Sequence, residues 1–234
     1  LSFLKNFKDQ SGIIYCFSRK QVDELAATLT RYGFSARPYH AGLEDIDRKR
    51  NQEAFIRDDV QIIVATIAFG MGINKPNVRF VIHFDLPKSI ESYYQEIGRA
   101  GRDSLPSHCL LLYSYADASK IRYFIDQKEE PERSASYQHL DAMTRYAEGS
   151  ACRRKPLLSY FGETYAQKNC GTCDNCGMEE SDLTDITVPA QKFLSCVKRS
   201  GERFGAAHVV DILLGSENEK IQKYKHNEIS TFGI

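Results

Sequence analysis

Five short apolar runs, separated by helical stretches, constrain the fold of this chain more than any other feature of its sequence. The clearest run, Ile13-Ile14-Tyr15-Cys16-Phe17, lacks the polar alternation of a strand that has one face in water. A strand without alternation is buried on both faces, and parallel strands joined by helices meet that requirement. The sequence therefore predicts an α/β fold with a parallel sheet covered by helices on both faces.

The predicted strands also point to the edge of the sheet where ligands would bind. We expect the strands at residues 13–17, 36–39, 61–65, 79–84 and 109–113. Ligands of such sheets bind beyond the carboxyl ends of the strands. The polar residues that follow the strands are Ser18, Arg19, His40, Thr66 and Asp85. Each of them could instead be an ordinary helix cap or turn residue.

Two arginines and two glycines follow the fourth apolar run. Read as a helix, Gln95, Arg99 and Arg102 are spaced i, i+4 and i+7, so they would share one face. Gly98 and Gly101 would each weaken that helix by about 1 kcal/mol relative to alanine, which favours a ligand approaching the backbone closely. A planar guanidinium that donates two hydrogen bonds suits a phosphate. The alternative is a pair of surface arginines in salt bridges.

Four cysteines predict a metal site in the second half of the chain. Cys170, Cys173 and Cys176 have C-x2-C-x2-C spacing, and Cys152 lies upstream. Four thiolates complete a tetrahedral zinc site with no open position, so the ion would be structural. An iron–sulfur cluster and two disulfides are the alternatives, although the proline expected after a ferredoxin-type run is missing. The other three cysteines lie in apolar runs and are expected to be buried packing residues.

Composition limits the classes of function. Lys plus Arg and Asp plus Glu each total 31, so any nucleic-acid surface must be a local patch. The chain has no apolar run of the roughly 20 residues that span a membrane, and no signal-peptide pattern. Seven cysteines, an odd number, favour a reducing compartment. We expect a cytoplasmic bacterial protein, and the start at Leu1 suggests a fragment.

The sequence resembles the RecQ family of superfamily two DNA helicases. QEIGRAGR resembles the sixth helicase motif, IIYCFSR the fourth, and VATIAFGMGINKPNVRFVIH the fifth, while CRRKPLLSYFGE followed by CGTCDNC resembles the RecQ zinc module. Family motifs usually continue with Gly after Arg-Asp, whereas Ser104 stands here. The resemblance covers nearly the whole chain, and its motifs occur in the family's order.

The resemblance implies roles for particular residues. Arg102, and with it Arg99, would contact the terminal phosphates of ATP as an arginine finger. The predicted nucleotide site also includes Gln95, Gly70, Gly72 and Asn74. The predicted DNA contacts are Ser18, Arg19, Thr66, Arg153 and Arg154, and the alternative for the last two is pairing with neighbouring carboxylates.

The resemblance also implies partners that this chain does not contain. Neither the sequence G-x-x-x-x-G-K-[ST] nor an Asp-Glu-x-His box is present, so ATP and Mg²⁺ would be shared with a missing first RecA-like domain. We therefore expect no ATPase from this chain alone. The other expected partner is DNA, both single-stranded and at duplex junctions, and no membrane partner is expected.

Three domains are expected along the chain. Residues 1–118 would form the second RecA-like domain, 119–184 a helical zinc-binding module, and 185–234 the first part of a truncated winged helix. Phe193, Leu194 and Val197 are expected to form the buried face of its first helix. The implied function is ATP-dependent 3′-to-5′ DNA unwinding in recombination, repair and replication, which would make the protein nucleoid-associated. The rival is a non-enzymatic, zinc-containing DNA-binding module.

Overall fold

The structure, a computed structural model, describes residues 1–66, 69, 73–178 and 184–234. The chain forms two compact units, Leu1–Cys176 and Gly177–Ile234, and each is described by itself. Among the described residues, no helix has both the length and the apolar composition needed to cross a membrane.

The first unit contains the predicted parallel sheet. Its strands are β1 (Ser11–Tyr15), β2 (Ala36–Tyr39), β3 (Ile62–Ala65), β4 (Val78–His83) and β5 (His108–Leu111). The order across the sheet is β2-β3-β1-β4-β5, and every neighbouring pair is parallel. The predicted α/β class is therefore confirmed, and each strand lies within two residues of its predicted position.

Helices surround the sheet and extend beyond it. The first unit has α1 (Ser2–Lys5), α2 (Arg19–Arg31), α3 (Asp45–Ile56), α4 (Ile90–Ile97), α5 (Tyr115–Ile125), α6 (Glu132–Glu148), α7 (Arg154–Tyr160) and α8 (Asp174–Gly177, which reaches into the second unit). The second unit has α9 (Thr187–Arg199), α10 (Ala206–Leu213), α11 (Glu219–Lys223) and a 3₁₀ turn at His226–Glu228.

The central strand β1 is buried along its whole length because apolar clusters cover both faces of the sheet. On one face, Val22, Ala26 and Leu29 of α2 pack against alternate strand residues. On the other face, Phe55 of α3 packs in a cluster that includes Tyr15. Each large aliphatic or aromatic side chain buried in this way contributes about 1.5–3 kcal/mol. This double burial explains why β1 lacks polar alternation in the sequence.

A third cluster joins α4, α5 and α6. Leu140, Met143 and Tyr146 of α6 are buried in it, at the i, i+3, i+6 spacing of one helix face. Because this cluster also contains Ile90 and Tyr93 of α4, the helical region after the sheet packs directly against the sheet domain.

The prediction of one helix through both arginines is wrong. Helix α4 ends at Ile97, and Gly98 is its C-cap. Gly101 has a φ of 65°, a left-handed conformation that favours glycine, and a Cβ there would lie 2.8 Å from Ser107 Oγ. The two glycines therefore end the helix and shape the turn that follows it, so Gln95, Arg99 and Arg102 do not share a helix face.

Two burial predictions are also wrong. In the second unit, Cys196 occupies the core with Val209 and Ile212, whereas Leu194 is 66% exposed. The apolar face of α9 is therefore rotated from the predicted one, although Phe193 and Val197 do pack against the core. In the first unit, Cys109 is exposed on β5 and is not the expected buried residue.

A buried lysine fixes the segment that leads into β4. Lys75 Nζ is 1% exposed and donates to Asp58 Oδ1 at 2.6 Å. Asp58 also accepts from the Ser11 hydroxyl at 2.9 Å, and its φ of 65° is one that aspartate and asparagine tolerate. The hydrogen bond from Lys75 is the largest of the causes that lower the pKa of Asp58.

We expect Asp58→Asn to lower the free energy of unfolding of the first unit by about 1–2 kcal/mol at neutral pH, since the carboxylate is partly exposed. Because the folded-state pKa of Asp58 lies below its unfolded value, the stabilisation is complete above about pH 4 and is lost as the pH falls through the folded pKa. Urea unfolding of both proteins at neutral and strongly acidic pH measures this. A difference that persists at about pH 2 would contradict the assignment.

Candidate nucleotide, DNA and zinc sites

The arginine segment lies against the loop that follows β3. The exposed Arg102 donates from Nε to Gly98 O at 3.1 Å and from Nη1 to Ile73 O at 3.1 Å. The Gly101 N–H donates to Val78 O at 3.0 Å, which ties the turn to the start of β4. The guanidinium of Arg102 thus lies at the surface, held by two carbonyl oxygens that another acceptor could replace.

Arg79 holds the far side of the same turn. Its Nη2 donates to both carboxylate oxygens of Asp103, at 2.6 and 2.7 Å, and its Nη1 donates to Pro106 O at 3.0 Å. This pairing is the largest cause that lowers the pKa of Asp103. Ser104 follows with a φ of 66°, so the family's usual glycine is replaced at a left-handed position, at a cost of about 1–2 kcal/mol.

Arg99 is half-buried and lies near the hydroxyl of Tyr15. Burial is the main cause that raises the pKa of Tyr15, and the charge of Arg99, with a hydrogen-bonding interaction, opposes that rise. The ring of Tyr15 stacks on His83, whose Nε2 is 2.7 Å from Glu96 Oε2. Both His83 and Glu96 are buried, so a polar cluster lies directly beneath the arginine segment.

The other predicted nucleotide contacts are less defined. Gln95 and Asn74 are both exposed, on α4 and on the loop before β4 respectively. Gly70 and Gly72 lie outside the described residues. The roles of all four residues stay predictions.

The predicted DNA contacts Ser18 and Arg19 lie at the start of α2. Ser18 is the N-cap of that helix, and its Oγ accepts from Gln21 N at 3.2 Å, while its side chain remains exposed. Arg19 lies against Gly42. A Cβ added at position 42 would lie 3.2 Å from the Cδ atom of Arg19. Gly42 therefore leaves space for the arginine. His40 fixes this turn, because Gly42 N donates to its Nδ1 at 3.1 Å.

The third predicted contact, Thr66, lines a cavity of about 580 Å³ beyond the carboxyl ends of β1 and β3. The cavity also has two cations that the sequence reasoning missed, Lys88 and Lys128. Phe17 and Phe124 contribute aromatic walls, with ring centroids 5.5 Å apart. The position of Lys88 shortly after the fourth strand is a sequence signal for a residue at this edge of the sheet. Lys128 lines the cavity only because α5 and α6 pack together.

The structure brings the four predicted zinc ligands together. The Sγ atoms of Cys152, Cys170, Cys173 and Cys176 all lie within 4.8 Å of one another, and those of Cys170 and Cys176 are 4.0 Å apart. A tetrahedral ion with Zn–S bonds of about 2.3 Å requires S···S distances of about 3.8 Å. The donor set and the spacing therefore fit zinc.

Hydrogen bonds to sulfur support the thiolate form at Cys170, whereas burial raises the pKa of Cys176 to about 11. The Thr172 hydroxyl lies 3.5 Å from Cys170 Sγ, and this hydrogen bond is the largest cause that lowers the pKa of Cys170 to about 6. The backbone N–H of Arg153 donates to Cys173 Sγ at 3.5 Å, and that of Cys170 donates to Cys176 Sγ at 3.4 Å. Such donors orient the ligands around a metal ion.

The side chain of Arg153 is engaged by the protein. Its Nη1 donates to the carbonyl oxygens of Tyr146, Ala147 and Gly149 at 2.7, 3.2 and 3.0 Å. Its Nη2 donates to Asp174 Oδ2 at 2.8 Å. This geometry favours pairing with a neighbouring carboxylate over a DNA contact. Arg153 connects the end of α6 to the cysteine segment.

We expect Arg153→Ala to lower the free energy of unfolding by about 2–3 kcal/mol, because it leaves three part-buried carbonyls and Asp174 without a charged donor. Arg154→Ala, at the exposed neighbouring position, should change it by less than about 0.5 kcal/mol. Urea unfolding of the zinc-loaded proteins measures both. An unchanged stability combined with weaker, less salt-dependent DNA binding for Arg153→Ala would restore the DNA assignment.

Three family profiles match the chain in succession. The profile described as helicase conserved C-terminal domain matches residues 1–104, RecQ zinc-binding matches 115–177, and RQC domain matches 180–234. The second of these covers the four-cysteine cluster and the helices that carry it. The chain belongs to the RecQ family. Its region is the C-terminal one, and the order of the profiles is that of the RecQ motifs found in the sequence.

The chain is similar to RecQ proteins named ATP-dependent DNA helicase RecQ in several bacteria. It is 49% identical over 233 residues to that of Pasteurella multocida, covering 99% of this chain and 37% of the relative. It is 49% identical over 228 residues to that of Haemophilus influenzae, covering 97% and 36%. For Bacillus subtilis the identity is 42% over 233 residues, covering 99% and 39%. The chain thus spans little more than a third of these RecQ relatives.

Proposed function

We propose that this chain contributes the second RecA-like domain, the zinc module and the start of the winged helix to an ATP-dependent 3′-to-5′ DNA helicase acting in recombination, repair and replication. The observation that carries the proposal is the presence, on one RecQ-family chain, of the arginine segment beside the loop after β3 and of a closed four-cysteine cluster. We assign residues 1–118, 119–184 and 185–234 to the three domains.

In this proposal, ATP binds between a first RecA-like domain and this chain. Arg102 and Arg99 contact its terminal phosphates. ATP supplies the phosphoryl group, and the RecQ resemblance implies that Mg²⁺ would be held by the first domain. Asp103 beside the arginines is paired with Arg79. A guanidinium placed where negative charge develops on the phosphates stabilises the transition state. Arg102 must exchange its two carbonyl acceptors for phosphate oxygens to do so.

DNA would bind along the carboxyl edge of the sheet. Ser18 and Arg19 are exposed at the start of α2, and Thr66 opens into the cavity lined by Lys88 and Lys128. Hydroxyl and cationic side chains of this kind contact phosphates and fix the strand without reading its sequence. Arg154 is exposed two residues after the zinc ligand Cys152 and is a further proposed phosphate contact.

Zinc bound by the four cysteines would be structural. Four sulfur ligands leave no coordination position for water or substrate. The ion would hold the cysteine segment against the end of α6, where Asn175 Nδ2 also donates to Gly149 O at 2.8 Å.

Strand separation on tailed duplexes tests the proposed function in the intact enzyme. With ATP and Mg²⁺, a duplex carrying a 3′ single-stranded tail should be unwound, and one carrying a 5′ tail should not. A nonhydrolysable ATP analogue is the control and should abolish unwinding. Tight binding of both substrates without any ATP-dependent separation would favour a non-enzymatic DNA-binding module.

A further inference from the structure

Two contacts connect the loop after β3 to the arginine segment. One is the hydrogen bond from Arg102 to Ile73 O, described above. The other passes through Tyr15, at the end of the central strand, whose hydroxyl donates to Phe69 O at 3.1 Å. Phe69 and Ile73 belong to the same loop, which begins at Thr66, the predicted DNA contact. Ile73 therefore contacts Arg102 directly, and Phe69 contacts Tyr15, which in turn neighbours Arg99.

The hydroxyl of Tyr15 has two different neighbours. Its proton is donated to Phe69 O, which leaves the oxygen lone pairs available to the guanidinium of Arg99. The residue is 3% exposed, so water does not substitute for either neighbour. A phenylalanine would fill the same apolar position and would form neither interaction. Packing alone therefore does not require a hydroxyl at this position. Its interactions with Phe69 and Arg99 account for a tyrosine here.

Stacking on a buried histidine fixes the position of the Tyr15 ring. It stacks on His83 with centroids 5.4 Å apart and planes inclined by 21°. His83 is in turn held by Glu96 at 2.7 Å and by the ring of Tyr93 at 5.0 Å. Because Glu96 lies on α4, three residues before Arg99, the cluster orients Tyr15 and the arginine segment together. A displacement of Phe69 would therefore be transmitted to Arg99 through the ring of Tyr15, which these contacts hold in place.

We propose that Tyr15 is a positioning residue that couples DNA bound at Thr66, whose carbonyl oxygen accepts from Phe69 N at 3.0 Å, to the placement of Arg99 at the ATP phosphates. The inference rests on the proposed helicase function. Tyr15 touches neither DNA nor nucleotide, and it acts through Phe69 on one side and Arg99 on the other.

The test is Tyr15→Phe in the intact enzyme, with Tyr39→Phe as the matched control. Tyr39 also packs on Phe69, with ring centroids 4.6 Å apart, but its hydroxyl donates to Gln52 Oε1 on α3. The readout is the ratio of ATP turnover with saturating single-stranded DNA to turnover without it. We expect the ratio to fall roughly five- to tenfold in Tyr15→Phe and to stay within about twofold of wild type in Tyr39→Phe.

Two further measurements separate coupling from a merely structural role. A structural defect would lower the melting temperature and both turnover numbers together, leaving the ratio unchanged, and that result would overturn the proposal. In a double-mutant cycle with Arg99→Ala, Tyr15→Phe should have little additional effect on the ratio. Fully additive effects would show that Tyr15 does not act through Arg99.

The wild-type enzyme distinguishes failure of this inference from failure of the proposed function. If wild type shows no DNA-stimulated ATP hydrolysis, the helicase function itself is wrong, and the coupling proposal falls with it. If wild type and Tyr15→Phe are stimulated equally, only the role of Tyr15 is wrong.

Discussion

Replacing Arg102 by alanine in the intact enzyme is expected to lower the turnover number for DNA-stimulated ATP hydrolysis about a thousandfold or more. The KM for ATP should change much less, by under about tenfold, because the guanidinium acts mainly on charge that develops in the transition state. Steady-state hydrolysis with saturating single-stranded DNA measures both quantities. Because Arg102 is exposed, the melting temperature of the variant should stay close to that of wild type.

Two variants serve as controls for that result. Arg102→Lys keeps the charge but not the planar fork, so it should recover only a small part of the turnover. Arg31→Ala removes another exposed arginine, one whose Nη2 donates to Thr28 Oγ1 at 3.0 Å, and it should leave turnover unchanged. Turnover of Arg102→Ala equal to that of Arg31→Ala would discard the arginine-finger assignment.

Replacing Cys173 by serine is expected to abolish stoichiometric zinc binding and to unfold the region around the four cysteines. Structural zinc sites of this type contribute about 10–16 kcal/mol of binding free energy in small domains, and folding of the ligand segment depends on it. Zinc content after dialysis and the rate of limited proteolysis between α7 and α8 measure the two effects. Protease cleavage should become fast in this segment and should stay slow in the sheet.

Cys109→Ser is the matched control, because Cys109 is an exposed cysteine of β5 outside the cluster. It should retain one zinc ion per chain and the wild-type proteolysis pattern. A Cys173→Ser protein that is metal-free and equally resistant to protease would refute a structural ion at this site.

The sheet and the cysteine cluster could be predicted because local sequence determines both. Doubly buried strands need continuous apolar runs, and the run at β1 carries that signature directly. Cys170, Cys173 and Cys176 lie so close in sequence that a tight turn suffices to bring them together. Cys152 lies further upstream, and the need for a fourth thiolate in a closed zinc site pointed to it.

The end of α4 could not be predicted from periodicity. The spacing of Gln95, Arg99 and Arg102 fits a helix, but Gly98 and Gly101 favour termination and a left-handed turn, and the turn is the conformation adopted. The hydrogen bond from Gly101 N to Val78 O, which ties this turn to β4, joins residues far apart in sequence.

The role of Arg153 and the cavity beside Thr66 depend on packing between distant elements. The guanidinium of Arg153 finds its acceptors at the end of α6 and at Asp174, and the sequence alone left pairing and DNA binding equally open. Lys128 reaches the cavity only because α5 and α6 pack against the sheet domain.

ATP hydrolysis by this chain, mixed with a separately produced first RecA-like domain, tests the central claim most directly. Turnover is measured for each part alone and for the mixture, with and without single-stranded DNA. We predict DNA-stimulated hydrolysis only in the mixture, with its loss when the chain carries Arg102→Ala. Hydrolysis by residues 1–234 alone, or a silent mixture of two folded parts with one zinc bound, would contradict the assignment of this chain as the second half of a helicase motor.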